Sequence, residues 1–430
     1  MKQSIPYGAS EQTFELPGEN LIFQGKMPLV RPLRNLEEAV LESLDSPIGT
    51  PPLSTLAEGK KNIVFLIEDN TRNTPLKTLL PILVDYLERH GVPGSAIRFL
   101  TAPGTHRLMT QEEILEKIGP EMARRFQVFQ HDATRTEDLV DLGSVMAGNY
   151  RVPVQVNRKA LEADLLIGLG DIVPHCDAGY SGGAKIIQPG ICGFATTAAT
   201  HVAAALLAEI PLGVMENPCR HGMEEVARKV GLDFILNTVR NEQGQIVGIF
   251  SGDFVKAHRK GAALARTTYR VDVPRPADIV VVSSSPCDID FWQAGKGLIS
   301  AYFAVRKGGI LVFAAPCREG LAHNHPRFRD WLALPLNEIL KRANACSPED
   351  READLISADL AACNSRVREK ASVFIVTEGL SGEEVQTLGF ERFDSVQAAL
   401  DEAFARIPGG TVGILPRGGV ALPVVGETHA

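Results

Sequence analysis

Unbroken runs of aliphatic and β-branched residues recur along this chain and alternate with segments of helical period. NIVFLIED (62–69), IRFLTA (97–102) and ADLLIGLG (163–170) read as buried strands. PLKTLLPILVDYLERHG (75–91) reads as a helix with Gly91 as its stop signal. MTQEEILEKIG (109–119) reads as a short helix opened by a Thr110/Glu113 capping box. The pattern restarts after YRVDVPRPAD (269–278), a proline-bearing connection that reads as a domain boundary. Beyond it come a strand at 277–285, a helix at 298–306, strands at 308–316 and 372–379, and a β-rich ending at 409–424. The alternation predicts a mixed α/β fold in layers, and 430 residues suggest two or three domains.

Composition narrows the function classes. A net charge of −8 argues against a large nucleic-acid footprint, although a local basic pocket can still bind small anions. The seven cysteines contain no CxxC pair, and an odd count without a secretory signal predicts reduced thiols in the cytoplasm. The most apolar stretch, 202–215, is interrupted by Glu209 and Pro211 and is too short to span a bilayer. The expected protein is cytoplasmic and acts on a small molecule, with no nucleic-acid or membrane partner.

Three polar constellations each follow a predicted strand. They are DNTR at 69–72, GTHR at 104–107 and GDIVPHCDAGYSGGAKIIQPG at 170–190. Ligands of open α/β sheets bind beyond the carboxyl ends of strands, so the three can converge on one cleft. Arg72 offers a donor fork suited to a carboxylate or phosphate, against a plain Asp69–Arg72 turn. His106 and His175 have the pKa range for acid/base work, though a lone histidine is more often structural. Gly182 and Gly183 precede Lys185, but the order is not that of a phosphate-binding Walker loop, since Ile186 replaces its Ser or Thr. His201, in an alanine-rich segment, reads on its own as a helix histidine. A distal constellation, CDIDFWQAGKGL (287–298), contributes Trp292, Gln293 and Lys296. His131, His221, His258, His323 and His325 have no motif support and read as surface or structural, Cys176 as a small pocket-lining residue, and His429 as part of a frayed tail.

Taken with PIGTPPL (47–53) and IPYG (5–8), these motifs resemble the nickel-dependent lactate racemase family along nearly the whole chain. The resemblance implies an isomerase: a racemase or epimerase of 2-hydroxy acids working by reversible hydride transfer. It implies a nickel pincer nucleotide (a pyridinium-3-thioamide-5-thiocarboxylic acid mononucleotide) linked covalently to Lys185, with His201 as the protein ligand to nickel. His106 and His175 become the two acid/bases. Asp69, Arg72, Gly182, Gly183, Gln293 and Lys296 become cofactor contacts, and Arg72, Trp292, Gln293 and Lys296 substrate contacts. Trp292 stands where lactate racemases carry tyrosine. It can only donate a hydrogen bond, which turns the expectation from lactate toward other short-chain, aromatic, diacid or sugar acids. Accessory proteins that make the cofactor are implied as transient partners. The resemblance further implies two domains with the active site in the cleft between them: residues 1–270, completed by 408–430, and 271–407. Two alternatives stay open: a zinc-dependent hydrolase or lyase using His106, His175 and His201, and a non-catalytic hydroxy-acid binder.

Overall fold

Two six-stranded sheets carry the molecule. The computed structural model describes residues 1–426; His429 and the end of the 408–430 segment lie outside them. In spatial order the first sheet runs Ile246–Gly252, Phe234–Arg240, Leu165–Asp171, Ile63–Ile67, Ile97–Thr101 and Gln127–Gln130. Only the first pair is antiparallel. Ile63–Ile67 and Leu165–Asp171 are buried along their whole length, as strands covered on both faces must be. The chain moves from Ile63–Ile67 to one neighbour, then returns to place Leu165–Asp171 on the other side. The strand order therefore reverses between these two strands, where α/β sheets open a crevice.

The second sheet is fully parallel: Glu391–Phe393, Ala371–Val376, Val305–Ala314, Ala277–Ser283, Val412–Leu415 and Leu21–Gln24. It has its own reversal at Ala277–Ser283. One apolar core joins the two units, with Ile172, Ala198 and Val202 packed in the same cluster as Trp292, Leu298 and Ile356.

Several expectations meet a different outcome. The segment expected to return to the N-terminal unit stays in the second sheet as Val412–Leu415, and only Leu422–Val425 leaves it, to pair with Arg270–Val273. It is the N-terminus that crosses over. The hairpin Lys2–Tyr7/Ser10–Glu15 lays Ile5, Tyr7 and Phe14 on Ile279, Val281 and Val312, because that face of the sheet would otherwise be left apolar and uncovered. The supposed connection at 269–278 contains a strand, with Pro274 and Pro276 only after it. The helix expected at 298–306 is Phe291–Ala304. Gly295, Gly297, Gln293 and Lys296 hide its first turns from a periodicity reading, whereas Asp290 starts it by accepting a hydrogen bond from Gln293 N at 2.8 Å. The Thr110/Glu113 capping box forms as expected. No helix among the described residues is long and apolar enough to cross a membrane, and all seven cysteines are free.

Candidate active site

The crevices of the two sheets meet in one cleft lined from both sides. Asp69 and Arg72 follow Ile63–Ile67, His106 follows Ile97–Thr101, and His175 and Lys185 follow Leu165–Asp171. From the other side, Phe291–Ala304 brings Trp292, Gln293 and Lys296. These eight residues, together with His201 and Gly182, line the cleft; of the expected set only Gly183 does not. Gly183 instead turns away: a Cβ there would lie 2.8 Å from the His258 ring, at a φ of +60°. Its N–H donates to Asn237 Oδ1 at 2.7 Å. The turn requires a glycine here.

Hydrogen bonds link the polar groups into one array. Gln293 Oε1 accepts from Lys296 Nζ at 2.6 Å and from Arg72 Nη1 at 3.3 Å. That fixes the amide, whose Nε2 donates to His106 Nε2 at 3.1 Å. On the other side of the ring, His106 Nδ1 donates to Asp69 Oδ2 at 2.8 Å. His106 is thereby held with its proton on Nδ1 and its lone pair on Nε2. Although burial opposes it, the neighbouring His106 and Arg72 hold the Asp69 carboxyl down to about 2. The Asp69 carboxylate reaches the Arg72 guanidinium only through the Thr71 hydroxyl, so its direct side-chain bond is the one that orients the histidine.

His175 is wired the opposite way. Its Nδ1 accepts the backbone N–H of Asp177 at 3.2 Å, so the neutral ring carries its proton on Nε2. Burial first, then the charges of Lys185, Lys296 and Arg72, push its pKa well below the ordinary value, which keeps the ring neutral. Burial and the Arg72 charge likewise lower Lys185 to about 7, making its amine accessible in neutral form near physiological pH. His201 donates from Nδ1 to the Thr197 carbonyl, one turn back, at 2.8 Å. That leaves Nε2 as its free ligand atom.

The comparisons with known proteins cover both halves. Family models described as lactate racemase N-terminal domain and lactate racemase C-terminal domain match residues 7–209 and 273–421. The chain belongs to the lactate racemase family. Its members include the lactate racemase of Thermoanaerobacterium thermosaccharolyticum, 34% identical over 366 residues, covering 82% of this chain and 84% of that protein. The lactate racemase of Lactiplantibacillus plantarum is 33% identical over 324 residues, covering 74% and 75%. The structure of the T. thermosaccharolyticum lactate racemase apoprotein superposes with a TM-score of 0.87 at 30% identity, over 99% of this chain and 100% of that one. A Thermotoga maritima protein, at 24% identity and a TM-score of 0.72 over 93% and 100%, shares the fold. With its family the chain is a racemase, an isomerase.

Lactate racemase motifs explain most of the cleft but not all of it. His106, His175 and His201 do not converge as one ligand set among the described residues; the groups whose ligand atoms come together are His175/Cys176/Asp177 and Asp177/His201/Asp359. That geometry removes the basis of the three-histidine zinc reading. Sequence reasoning also missed His325, which stacks on Trp292 with ring centroids 3.9 Å apart and planes 5° from parallel. Its Nδ1 lies 3.0 Å from Asp354 Oδ1 and its Nε2 3.3 Å from Thr105 Oγ1, beside His106. His131 and His258 are buried and bonded to backbone carbonyls, and His221 is an exposed partner of Glu216. These three are structural or surface, as expected.

Proposed function

We propose that this lactate racemase homologue inverts C2 of a 2-hydroxy acid by reversible hydride transfer, using a nickel pincer nucleotide carried on Lys185. The observation that carries the reading is a pair of histidines in opposite tautomers around one anion clamp. His106 offers a lone pair at Nε2 and His175 an N–H at Nε2.

The residues fit such a group. Lys185 has an amine lowered to about 7, as attachment requires. His201 has its Nε2 free and its other nitrogen tied, and imidazole suits nickel. A Cβ on Gly295 would meet nothing within 4 Å, so this cleft-lining position leaves room for a bulky ring. When bound, the nucleotide supplies a carbon that takes hydride from C2 and returns it.

The side chains do the rest. A C2 hydrogen beside an ionised carboxylate is not acidic, so the proton that moves is that of the hydroxyl. His106 Nε2 takes it, and Asp69 stabilises the resulting imidazolium. Arg72 and Lys296 hold the carboxylate of the hydroxy acid and of the 2-keto acid formed from it. His175 Nε2–H would donate a hydrogen bond to the keto oxygen, and the proton held on His106 returns to that oxygen when C2 is reduced from its opposite face. The other enantiomer would use the same groups, its hydroxyl proton passing to and from His106 Nε2 while His175 Nε2–H holds the oxygen. Enclosure between the two sheets keeps water away from the keto acid.

Trp292 replaces the tyrosine of lactate racemases, and Ile299, Phe328, Leu360 and Val367 make much of the remaining lining apolar. Aliphatic and aromatic 2-hydroxy acids larger than lactate therefore lead the substrate list, ahead of diacids and sugar acids. Loading depends on cofactor-making proteins that meet the chain transiently in the cytoplasm. The test is racemisation of enantiopure, C2-deuterated 2-hydroxy acids by the loaded enzyme, read by chiral separation and mass spectrometry. The expected product keeps its deuterium. Exchange of the label with solvent, or no racemisation of any acid, contradicts the reading.

A further inference from the structure

Two buried carboxylates meet where the two halves of the molecule touch. Asp177 sits in the loop between His175 and Lys185, and Asp359 on the helix Leu355–Lys370, which packs against the helix Phe194–Ala205 that carries His201. Asp359 is 1% exposed and Asp177 7%. One oxygen of each and a ring nitrogen of His201 lie within 4.8 Å of one another. Beyond the Asp177 carboxyl beside it, Asp359 Oδ2 has no hydrogen-bond partner despite being buried.

Two buried carboxylates this close cannot both be ionised without a counter-charge: burial and the neighbouring Asp177 push the Asp359 carboxyl well above the usual range, so the pair takes up either a shared proton or a cation. Among the described residues no lysine or arginine forms an ion pair with either Asp177 or Asp359. Lys185 and Arg366 act on Asp359 only at longer range. What the three groups do offer is one imidazole nitrogen and two carboxylates, with open positions left for water, a donor set that transition-metal dications accept. His201 is also pre-oriented, because its Nδ1 is tied to the Thr197 carbonyl.

We propose that Asp177, His201 and Asp359 form a divalent-cation site across the junction of the two halves, able to take a free transition-metal dication in the apoprotein. In the loaded enzyme the same two carboxylates would serve as the local counter-charge of the metal at His201. The inference rests on the proposed function for that second role alone, since ion binding by the apoprotein needs neither nucleotide nor turnover.

The experiment is calorimetric titration of untagged, full-length apoprotein with NiCl2 and, separately, ZnCl2. The expected result is one ion per chain. Asp359→Asn and His201→Ala each weaken it tenfold or more, in the range that loss of a ligand-shell group produces. His221→Ala, which alters an exposed histidine beside Glu216, leaves it unchanged. Thermal melts keep folding separate: the ion raises the melting temperature of the wild type, and Asp359→Asn, folded by circular dichroism, loses that rise. No stoichiometric ion, unchanged affinity in Asp359→Asn, or loss in His221→Ala overturns the proposal. Ion binding without racemisation would count against the proposed function alone, and racemisation without ion binding against this inference alone.

Discussion

Lys185 is the residue on which burial acts most directly. Its ammonium is lowered from 10.5 to about 7, by desolvation first and by Arg72 next. Below pH 7 both folded and unfolded chains carry that proton, and the burial penalty is complete. Between pH 7 and 10.5 the folded chain sheds it first, so stability tied to this group rises with pH. Lys185→Met should therefore stabilise the apoprotein at pH 6, by on the order of 2–4 kcal/mol, with a gain that shrinks toward pH 10. Melting curves of both proteins across that range check it, and a gain independent of pH would contradict it. The motif residues were legible at this scale because loop position and residue type announce them. Asp359 and His325 were not. They stand far from the motifs in sequence, and only the fold brings them against His201 and Trp292.

The helix Phe291–Ala304 shows how an element sets the site. Its cap, Asp290, fixes the first turn, from which Gln293 and Lys296 reach Arg72 and His106. Asp290→Ala should cost about 1 kcal/mol of stability, the usual worth of such a cap. It should also raise KM for the hydroxy acid more than it lowers kcat, because the clamp loosens while the histidines stay in place. Denaturant melts and steady-state kinetics read the two effects, and an unchanged KM would detach the cap from the site. The start of this helix was hidden by its glycines and polar residues, whereas the strands of the first sheet were plain in their unbroken apolar runs. A buried parallel strand leaves a stronger mark on sequence than a helix whose first turns carry glycines and polar residues.

For the whole molecule, the decisive feature is that two open sheets present their crevices to each other. The crossing of the N-terminal strands into the second sheet was not legible, since alternating half-buried strands such as Lys2–Tyr7 say nothing about which sheet they cover. The halves are also joined at the rim of the cleft, where Arg107 binds Glu113 of its own half and Glu319 of the other at 2.7 and 3.1 Å. Arg107→Ala should change stability by no more than about 1 kcal/mol, as for other partly exposed pairs. It should raise KM through a less well-held cleft, and equal kinetics for mutant and wild type would remove the rim contact from function.

The most direct single measurement is the intact mass and metal content of this protein produced together with the cofactor-making enzymes. The predicted result is a covalent adduct that peptide mapping places on Lys185, with about one nickel per chain, both lost in Lys185→Ala. An unmodified Lys185 with no retained nickel, in a background that loads a known lactate racemase, would contradict the pincer mechanism.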